Sequence, residues 1–259
     1  MVRGLFDGVS LWIVGVASIV AFLAVAELGY RLGARSRVPE GEESTSDLGA
    51  TIGGLLGLLG LLLAFTFSMA GGRFDTRKTL VVEEANAIGT AWLRTDLVPE
   101  PQRAEARRVL RAYVQARLDA TVAGRRAEAM ARSEQLQTEL WTATAGAARA
   151  APTPPVALFV ASVNEVIDMH ARRVNAALRN PIPPTIFGAL YGVAILVLAA
   201  MGYARGLVSD RSHVATIVLT IVLAVVMLLI LDLDRPYEGL LTVSQQAMMD
   251  VQKSMGSGP

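Results

Sequence analysis

Four long apolar stretches without a charged residue restrict how this chain can fold more than any other feature. They occupy residues 8–26, 48–72, 180–204 and 212–231. An α-helix rises about 1.5 Å per residue, so roughly 20 apolar residues cross a hydrocarbon core of about 30 Å. All four stretches are long enough, and we expect an integral membrane protein. Its spans are predicted at about residues 9–29, 48–72, 185–204 and 212–231.

Charged residues are concentrated between the second and third stretches. Of the 24 Lys and Arg residues, 16 lie between Arg73 and Arg179, together with 12 of the 23 acids. Apolar residues in this segment recur at spacings of three and four, and no strand-like alternation is present. We therefore expect an all-α membrane protein in which two pairs of transmembrane helices flank a helical extramembrane body.

The domain organisation follows from these boundaries. We predict a first transmembrane pair in 1–72, the helical body in 73–182, a second pair in 183–233 and a C-terminal tail in 234–259. The second span is expected to continue as one rod to Leu97, because residues 74–97 contain no proline. Further helices are predicted to begin at Gln102, Ala127 and Val156, after proline or glycine breaks.

The first apolar stretch has an alternative interpretation as a secretory signal, with Ala24-Val25-Ala26 as a small-residue cleavage site. The stretch is longer than an ordinary signal core, and Asp7 offsets the positive charge of Arg3. A retained membrane helix is therefore favoured.

Four spans place both termini and the helical body on one side of the membrane. Basic residues close to the membrane are more numerous on that side than in the two short loops, which favours a cytoplasmic body in the cell's inner (plasma) membrane. The large side has Arg3, Arg73, Arg77, Lys78, Arg172, Arg173, Arg179 and Arg235, and the short loops have Arg31, Arg35, Arg37, Arg205 and Arg211.

The second span contains rows of small residues four apart. In lipid, small residues let helix backbones approach closely, so this helix is predicted to be surrounded by protein. The packing candidates are Gly49, Gly53, Gly57, Gly60 and Ala64. The first row continues into Leu61, Phe65 and Met69, which would form a hydrophobic constriction if several copies met around an axis. The alternative is ordinary packing within one subunit.

The sequence offers no enzyme, cofactor or metal site. It has no cysteine and only two histidines, and no nucleophile elbow or phosphate-binding glycine loop is present. A mild basic excess without a basic face does not indicate nucleic acid. His170 lies near Asp168, Arg172 and Arg173 but on the apolar stripe of its helix, so a histidine bonded within the core is expected. Glu27 is expected to pair with Arg31 at the membrane interface, although an acid on a pathway is the alternative.

Five segments resemble the bacterial bestrophin-like membrane proteins of unknown function, and more distantly bestrophins themselves. The longest is FTFSMAGGRFDTRK at 65–78. The others are EEANA at 83–87, HARR at 170–173, RNPIPP at 179–184 and DLDRPYEG at 232–239. The resemblance extends from about residue 48 to residue 250.

The resemblance implies an oligomer, pentameric in bestrophins, with a cytosolic helical body and an ion pore lined by the second span. By that analogy Leu61, Phe65 and Met69 are the pore neck candidates. The resemblance does not specify the permeant ion, although bestrophins generally favour anions. The acid-rich calcium clasp of animal bestrophins is reduced here to Asp232, Asp234 and Glu238, so calcium gating is not carried over.

The sequence leaves two other functional classes. A non-conducting scaffold or transducer, similar to the four-span stator proteins whose ring couples to a partner, usually has a functional proline or acid deep in spans three and four. Neither occurs within 185–204 or 212–231. An enzyme with its site in the helical body has the least support.

Overall fold

The computed structural model describes residues 9–36, 42–122, 124–179, 181–208, 213–236 and 239–256. All regular secondary structure in these ranges is helical, which confirms the all-α prediction. The α-helices are α1 Leu11–Arg35, α2 Glu42–Arg94, α3 Gln102–Asp119, α4 Arg126–Ala150, α5 Pro154–Val174, α6 Pro184–Leu207, α7 Val214–Asp234 and α8 Gln246–Gly256. A 3₁₀ turn, Thr95–Leu97, follows α2, and a π-helical turn, Asn175–Arg179, follows α5.

Four helices are long and apolar enough to cross a membrane: α1, α2, α6 and α7. Their most apolar windows have mean hydropathies of 2.3, 2.1, 2.1 and 3.2. The helix α1 continues past the predicted span to Arg35. In this part of the helix Glu27 and Arg31, one turn apart, form an exposed ion pair with an N–O distance of 2.7 Å. This is the predicted pairing of Glu27. These four helices give the protein the architecture of a multi-pass membrane protein.

The chain divides into two compact units. The membrane unit comprises Met1–Phe74 and Pro181–Leu241, and the extramembrane unit comprises Asp75–Asn180 and Thr242–Pro259. The helix α2 contributes residues to both. The predicted C-terminal tail, 234–259, is divided between the two units and includes α8. This short helix forms because Met248, Val251 and Met255 make an apolar stripe, and both methionines are buried in the extramembrane core.

In the membrane unit, α1 packs along α6 with almost no space between the two backbones. A Cβ atom added to Gly29 would collide with the carbonyl group of Ala199, and one added to Gly202 would collide with that of Ala26. The motifs Gly29-xxx-Gly33 and Gly202-xxx-Gly206 therefore face each other. Small residues permit this approach, which lets van der Waals contact stabilise helix pairs in lipid. This interface was not predicted from the sequence.

The extramembrane unit has a core built by α3, α4, α5, α8 and the second half of α2. Its largest fully buried side chains are Tyr113, Phe159, Ile88, Leu110, Leu136 and Leu140. The helix α5 begins at Pro154, with prolines in its first turn, where the missing N–H costs no helical hydrogen bond. The ring of Trp92, on α2, lies under the guanidinium groups of Arg107 and Arg111, whose central carbons are 5.0 and 4.9 Å from the ring centre.

Candidate functional site

The membrane half of α2 contacts the rest of its own unit along one narrow stripe. The buried residues of this stripe are Ile52, Leu59, Leu63, Thr66 and Ala70, at spacings of seven, four, three and four. The hydroxyl of Thr66 donates to the carbonyl of Leu62 at 2.8 Å, so its buried polar group is satisfied within the helix. The remaining surface of this half-helix is predominantly exposed in the single chain.

The three pore neck candidates all lie on this exposed surface. Leu61 is 53% exposed, Phe65 is 65% exposed and Met69 is 41% exposed. Residues four apart turn by about 400°, so each step along the row rotates by about 40° around the helix. The three side chains therefore occupy a sector about 80° wide, which is narrow enough to face one direction together.

The packing candidates on α2 have no neighbour from the same chain among the described residues. Cβ atoms added to Gly49, Gly53, Gly57 and Gly60 would each meet nothing within 4 Å, and Ala64 is exposed. Among the described residues, packing within one subunit does not involve these four glycines. The row rotates by about 160° between Gly49 and Phe65, so the first glycine and the bulky residues face different directions.

The exposed surface of α2 offers little polar chemistry. No ionisable residue lies between Asp47 and Arg73, and Ser68 is the exposed hydroxyl near its end. A proton relay in a membrane needs titratable groups at depth. This surface is therefore unsuited to proton transfer and suited to apolar contact or to a hydrophobic constriction.

A second group of polar residues closes the membrane unit after α7. Both carboxylate oxygens of Asp234 accept from the backbone N–H of Ile182, at 3.2 and 3.1 Å, and the Arg73 guanidinium lies 3.6 Å away. Asp232 is buried and accepts from the backbone N–H groups of Leu240 at 2.8 Å and Leu241 at 3.0 Å. The end of α2's apolar segment is thereby paired with the end of α7.

The extramembrane unit contains a buried ion cluster centred on Glu84 of α2. Its carboxylate accepts from Arg117 Nε on α3 at 3.0 Å, from an Arg173 guanidinium nitrogen on α5, and from the Tyr113 hydroxyl at 2.7 Å. Glu84 is completely inaccessible to solvent. A buried carboxylate needs such partners because its desolvation costs several kcal/mol.

His170 belongs to the same cluster. Its Nδ1 lies 3.2 Å from the Tyr113 oxygen. The single hydroxyl proton of Tyr113 goes to Glu84, so Nδ1 must donate to the tyrosine oxygen, and His170 is the Nδ1–H tautomer. The side chain of Gln137 on α4 also donates to this oxygen, at 3.4 Å. The histidine is thus bonded within the core, as the sequence indicated.

The electrostatics keep this cluster in one protonation state at neutral pH. Burial raises the pKa of Glu84, but the charges of Arg117 and Arg173 and the hydrogen bonds outweigh it, and the pKa lies below its usual value. Burial, with the charge of Arg117, lowers the pKa of His170 to about 4. Burial and the charge of Glu84 raise the pKa of Tyr113. Glu84 is ionised while His170 and Tyr113 are neutral.

Glu84 could have been found from the sequence. It interrupts the apolar stripe formed by Leu80, Val81, Ala87, Ile88 and Ala91. An acid in such a stripe is buried with the stripe and must then be paired with a cation. What the sequence does not contain is the choice of partners, because Arg117 and Arg173 come from helices 33 and 89 residues further along.

A comparison with family models finds the Bestrophin-like domain over residues 19–248. The chain belongs to the Bestrophin-like family. No curated protein sequence matches it. Among solved structures, a bacterial Bestrophin homolog from Klebsiella pneumoniae has a TM-score of 0.63 and 15% identity, covering 96% of this chain and 100% of that one. A crystal structure described only as a membrane protein has a TM-score of 0.64 and 15% identity, with the same coverage. At this identity the two structures establish the bestrophin fold alone.

Calcium, which animal bestrophins hold after the fourth span, does not fit the residues of this bestrophin-like chain. Calcium takes six to eight oxygen ligands. Asp232 and Asp234 supply at most four carboxylate oxygens, and these share their lone pairs with backbone N–H donors, while Asp234 also pairs with Arg73. The described residues contain no group of three acids or histidines able to hold a metal. Glu238 lies outside the described residues.

Proposed function

We propose that this bestrophin-like protein assembles with copies of itself into a ring, pentameric by analogy with bestrophins, whose second helices line an ion pathway. The observation that carries the proposal is the exposed surface of α2. In the described chain this surface combines glycines without a neighbour and the bulky residues Leu61, Phe65 and Met69.

The composition of this surface supports an assembly more than a lipid contact. Lipid tails pack equally well against any apolar side chain, so they do not require glycine. Closely approaching helices do require small residues. In the proposed ring, the early glycines contact a neighbouring subunit and the bulky residues face the axis.

A neck of leucine, phenylalanine and methionine regulates passage without binding the ion. A narrow apolar constriction excludes water, so ions cross only when the constriction widens or wets. Ions, with anions as the first candidates by the bestrophin analogy, are the proposed cargo. The helical body is proposed to lie on the cytoplasmic side of the inner membrane, and no catalytic step is proposed.

The first test is a two-dimensional class average of the purified particle, followed by current recording in planar bilayers. We expect a particle with rotational symmetry and ion currents from it. A single isolated protomer would contradict the ring. Flat current traces from intact rings would contradict the channel and leave a ring-shaped scaffold that couples to a partner.

The neck is tested by replacing Phe65 with alanine. We expect Phe65→Ala to raise the basal current several-fold, because a smaller side chain widens and wets the constriction. Phe67→Ala is the matched control, since Phe67 is also exposed but lies about 200° further around the same helix. Equal currents in the two variants would place the neck elsewhere.

A further inference from the structure

Arg235, immediately after α7, holds the segment that precedes α1. One of its guanidinium nitrogens donates to the backbone carbonyl of Val9 at 2.8 Å, although the two residues are 226 positions apart in the sequence. Arg235 is buried. Because both residues belong to the membrane unit, this hydrogen bond ties the entry into the first membrane helix to the exit from the last one.

Asp232, three residues before Arg235, is held by the loop that follows Arg235. The carboxylate of Asp232 accepts from the N–H groups of Leu240 and Leu241, so its oxygens face backbone donors. Gly239 makes this possible. Its φ of +139° is unfavourable for other residues, and a Cβ atom there would collide with the Asp232 carboxylate and lie 3.5 Å from Leu11.

The remaining acid is held in the same way. Asp234 accepts from the N–H of Ile182 with both oxygens and pairs with Arg73. Each described acid at this end of α7 therefore has N–H donors against its oxygens. A metal ion at these oxygens would share them with the positive ends of N–H dipoles, and at Asp234 it would also be repelled by the charge of Arg73, 3.6 Å away.

We infer that Arg235 is the built-in cation of a metal-free clasp, which fastens the start of α1 to the end of α7 without calcium. The clasp consists of Val9, Arg73, Ile182, Asp232, Asp234, Arg235, Gly239, Leu240 and Leu241. A guanidinium group keeps its charge throughout the physiological pH range. The clasp is therefore closed constitutively, and this conclusion holds whether or not the protein conducts ions.

The unmodified protein gives the first test. Its thermal unfolding midpoint in mild detergent is measured with a chelator and then with about 1 mM calcium, a concentration that fills even weak protein sites. We expect the same midpoint in both. A rise of several degrees with calcium that disappears in Asp232→Asn would overturn the inference.

The role of Arg235 is tested with a spin label, because the chain has no cysteine and Val9→Cys gives a single labelling site. In the labelled protein, Arg235→Gln is expected to add a mobile component to the spectrum and to lower the midpoint by roughly 5 °C. Arg31→Gln is the matched control, since Arg31 forms an exposed ion pair in the same unit. A label that stays equally immobile in both variants, or one that calcium immobilises further, contradicts the clasp.

A second variant acts on the clasp without altering any charge. Gly239→Ala places a methyl group against the Asp232 carboxylate, and we expect the same mobile component at the Val9→Cys label. Gly188→Ala is the control, because a Cβ atom there meets nothing within 4 Å. If Arg235→Gln does not fold, the comparison of Gly239→Ala with Gly188→Ala and the calcium measurement still test the clasp. An unchanged label in Gly239→Ala would count against the inference.

Discussion

Glycines four residues apart occur at the α1–α6 interface and on the exposed surface of α2. Their surroundings in the two regions are opposite. At the interface, Gly29 and Gly202 lie so close to the facing backbone that no side chain fits. On α2, Gly53 and Gly57 have no neighbour within 4 Å in the described chain. The same spacing thus marks a completed contact in one region and an open surface in the other.

The difference shows that a row of small residues permits close helix approach but does not determine which helix is the partner. Hydrophobicity does not drive helices together in lipid, so a helix pairs where shapes match. Within the chain, α1 and α6 each present a matching row. The row on α2 finds no such partner among the described residues, which is why a second copy is its proposed partner.

The largest expected effect is at the completed contact. Gly202→Leu should destabilise the membrane unit by more than about 4 kcal/mol, because its side chain meets the backbone of Ala26 and Tyr30, which cannot rotate away. Thermal unfolding and size-exclusion profiles of the purified protein measure this. Gly192→Leu on the same helix is the control, since it faces open space. Equal midpoints for the two variants would mean that α1 and α6 do not touch as described.

The second largest effect is expected at the buried carboxylate of Glu84, in the extramembrane half of α2. Glu84→Gln leaves Arg117 and Arg173 without their carboxylate, and we expect it to cost about 3–5 kcal/mol. Glu83→Gln, at an exposed neighbouring position, should cost less than about 0.5 kcal/mol. Denaturant unfolding compares the two. A small and equal loss in both would show that Glu84 is not buried among these arginines.

Substitution on the exposed surface of α2 should affect oligomer assembly and not the fold of the single chain. Gly57→Leu is expected to leave the helical content unchanged and to disperse the oligomer, because its side chain would hold neighbouring helices apart. Light scattering of the detergent-solubilised protein measures the particle mass, and circular dichroism measures the helix content. A variant of wild-type mass would remove Gly57 from any interface.

The smallest effect is the pH dependence of the Glu84 cluster. The pKa of His170 is about 4 in the folded protein and near 6.5 in an unfolded chain. As the pH falls, the unfolded chain is protonated first, so stability is complete above pH 6.5 and is lost between pH 6.5 and about pH 4. The loss between pH 7 and pH 5 is about 2 kcal/mol.

Unfolding curves recorded across this pH range test the assignment. His170→Asn keeps an N–H near the position of Nδ1 but does not titrate, so its stability should vary less with pH. A wild-type slope in His170→Asn would assign the pH dependence to another group.

The sequence predicted the architecture well because hydropathy and helical spacing are local properties. The four membrane helices, the long α2 and the break at Pro152 to Pro155 all depend on residues close together in the chain. The exposure of Leu61 and Phe65 in one chain is less local, since it depends on α1, α6 and α7 packing elsewhere. The sequence identified these residues by their type and could not determine what faces them.

The features that the sequence missed are contacts between distant segments. The motif Gly202-xxx-Gly206 was visible, but its partner on α1 could be chosen only when both helices were placed. From the sequence, Arg235 was only one of many cations that flank the membrane. In the structure it donates to the backbone carbonyl of Val9, 226 residues earlier in the chain. A backbone carbonyl has no signature in the sequence, so such an interaction cannot be predicted from residue type.

The close contact between α1 and α6 has a consequence for biogenesis. About 150 residues separate Arg35, where α1 ends, from Pro184, where α6 begins. At roughly 5–20 residues per second, a ribosome needs about 10–30 s to synthesise them. Throughout that interval the nascent first helix sits in the bilayer with its glycine groove uncovered. The groove is covered only when the later helix enters the membrane.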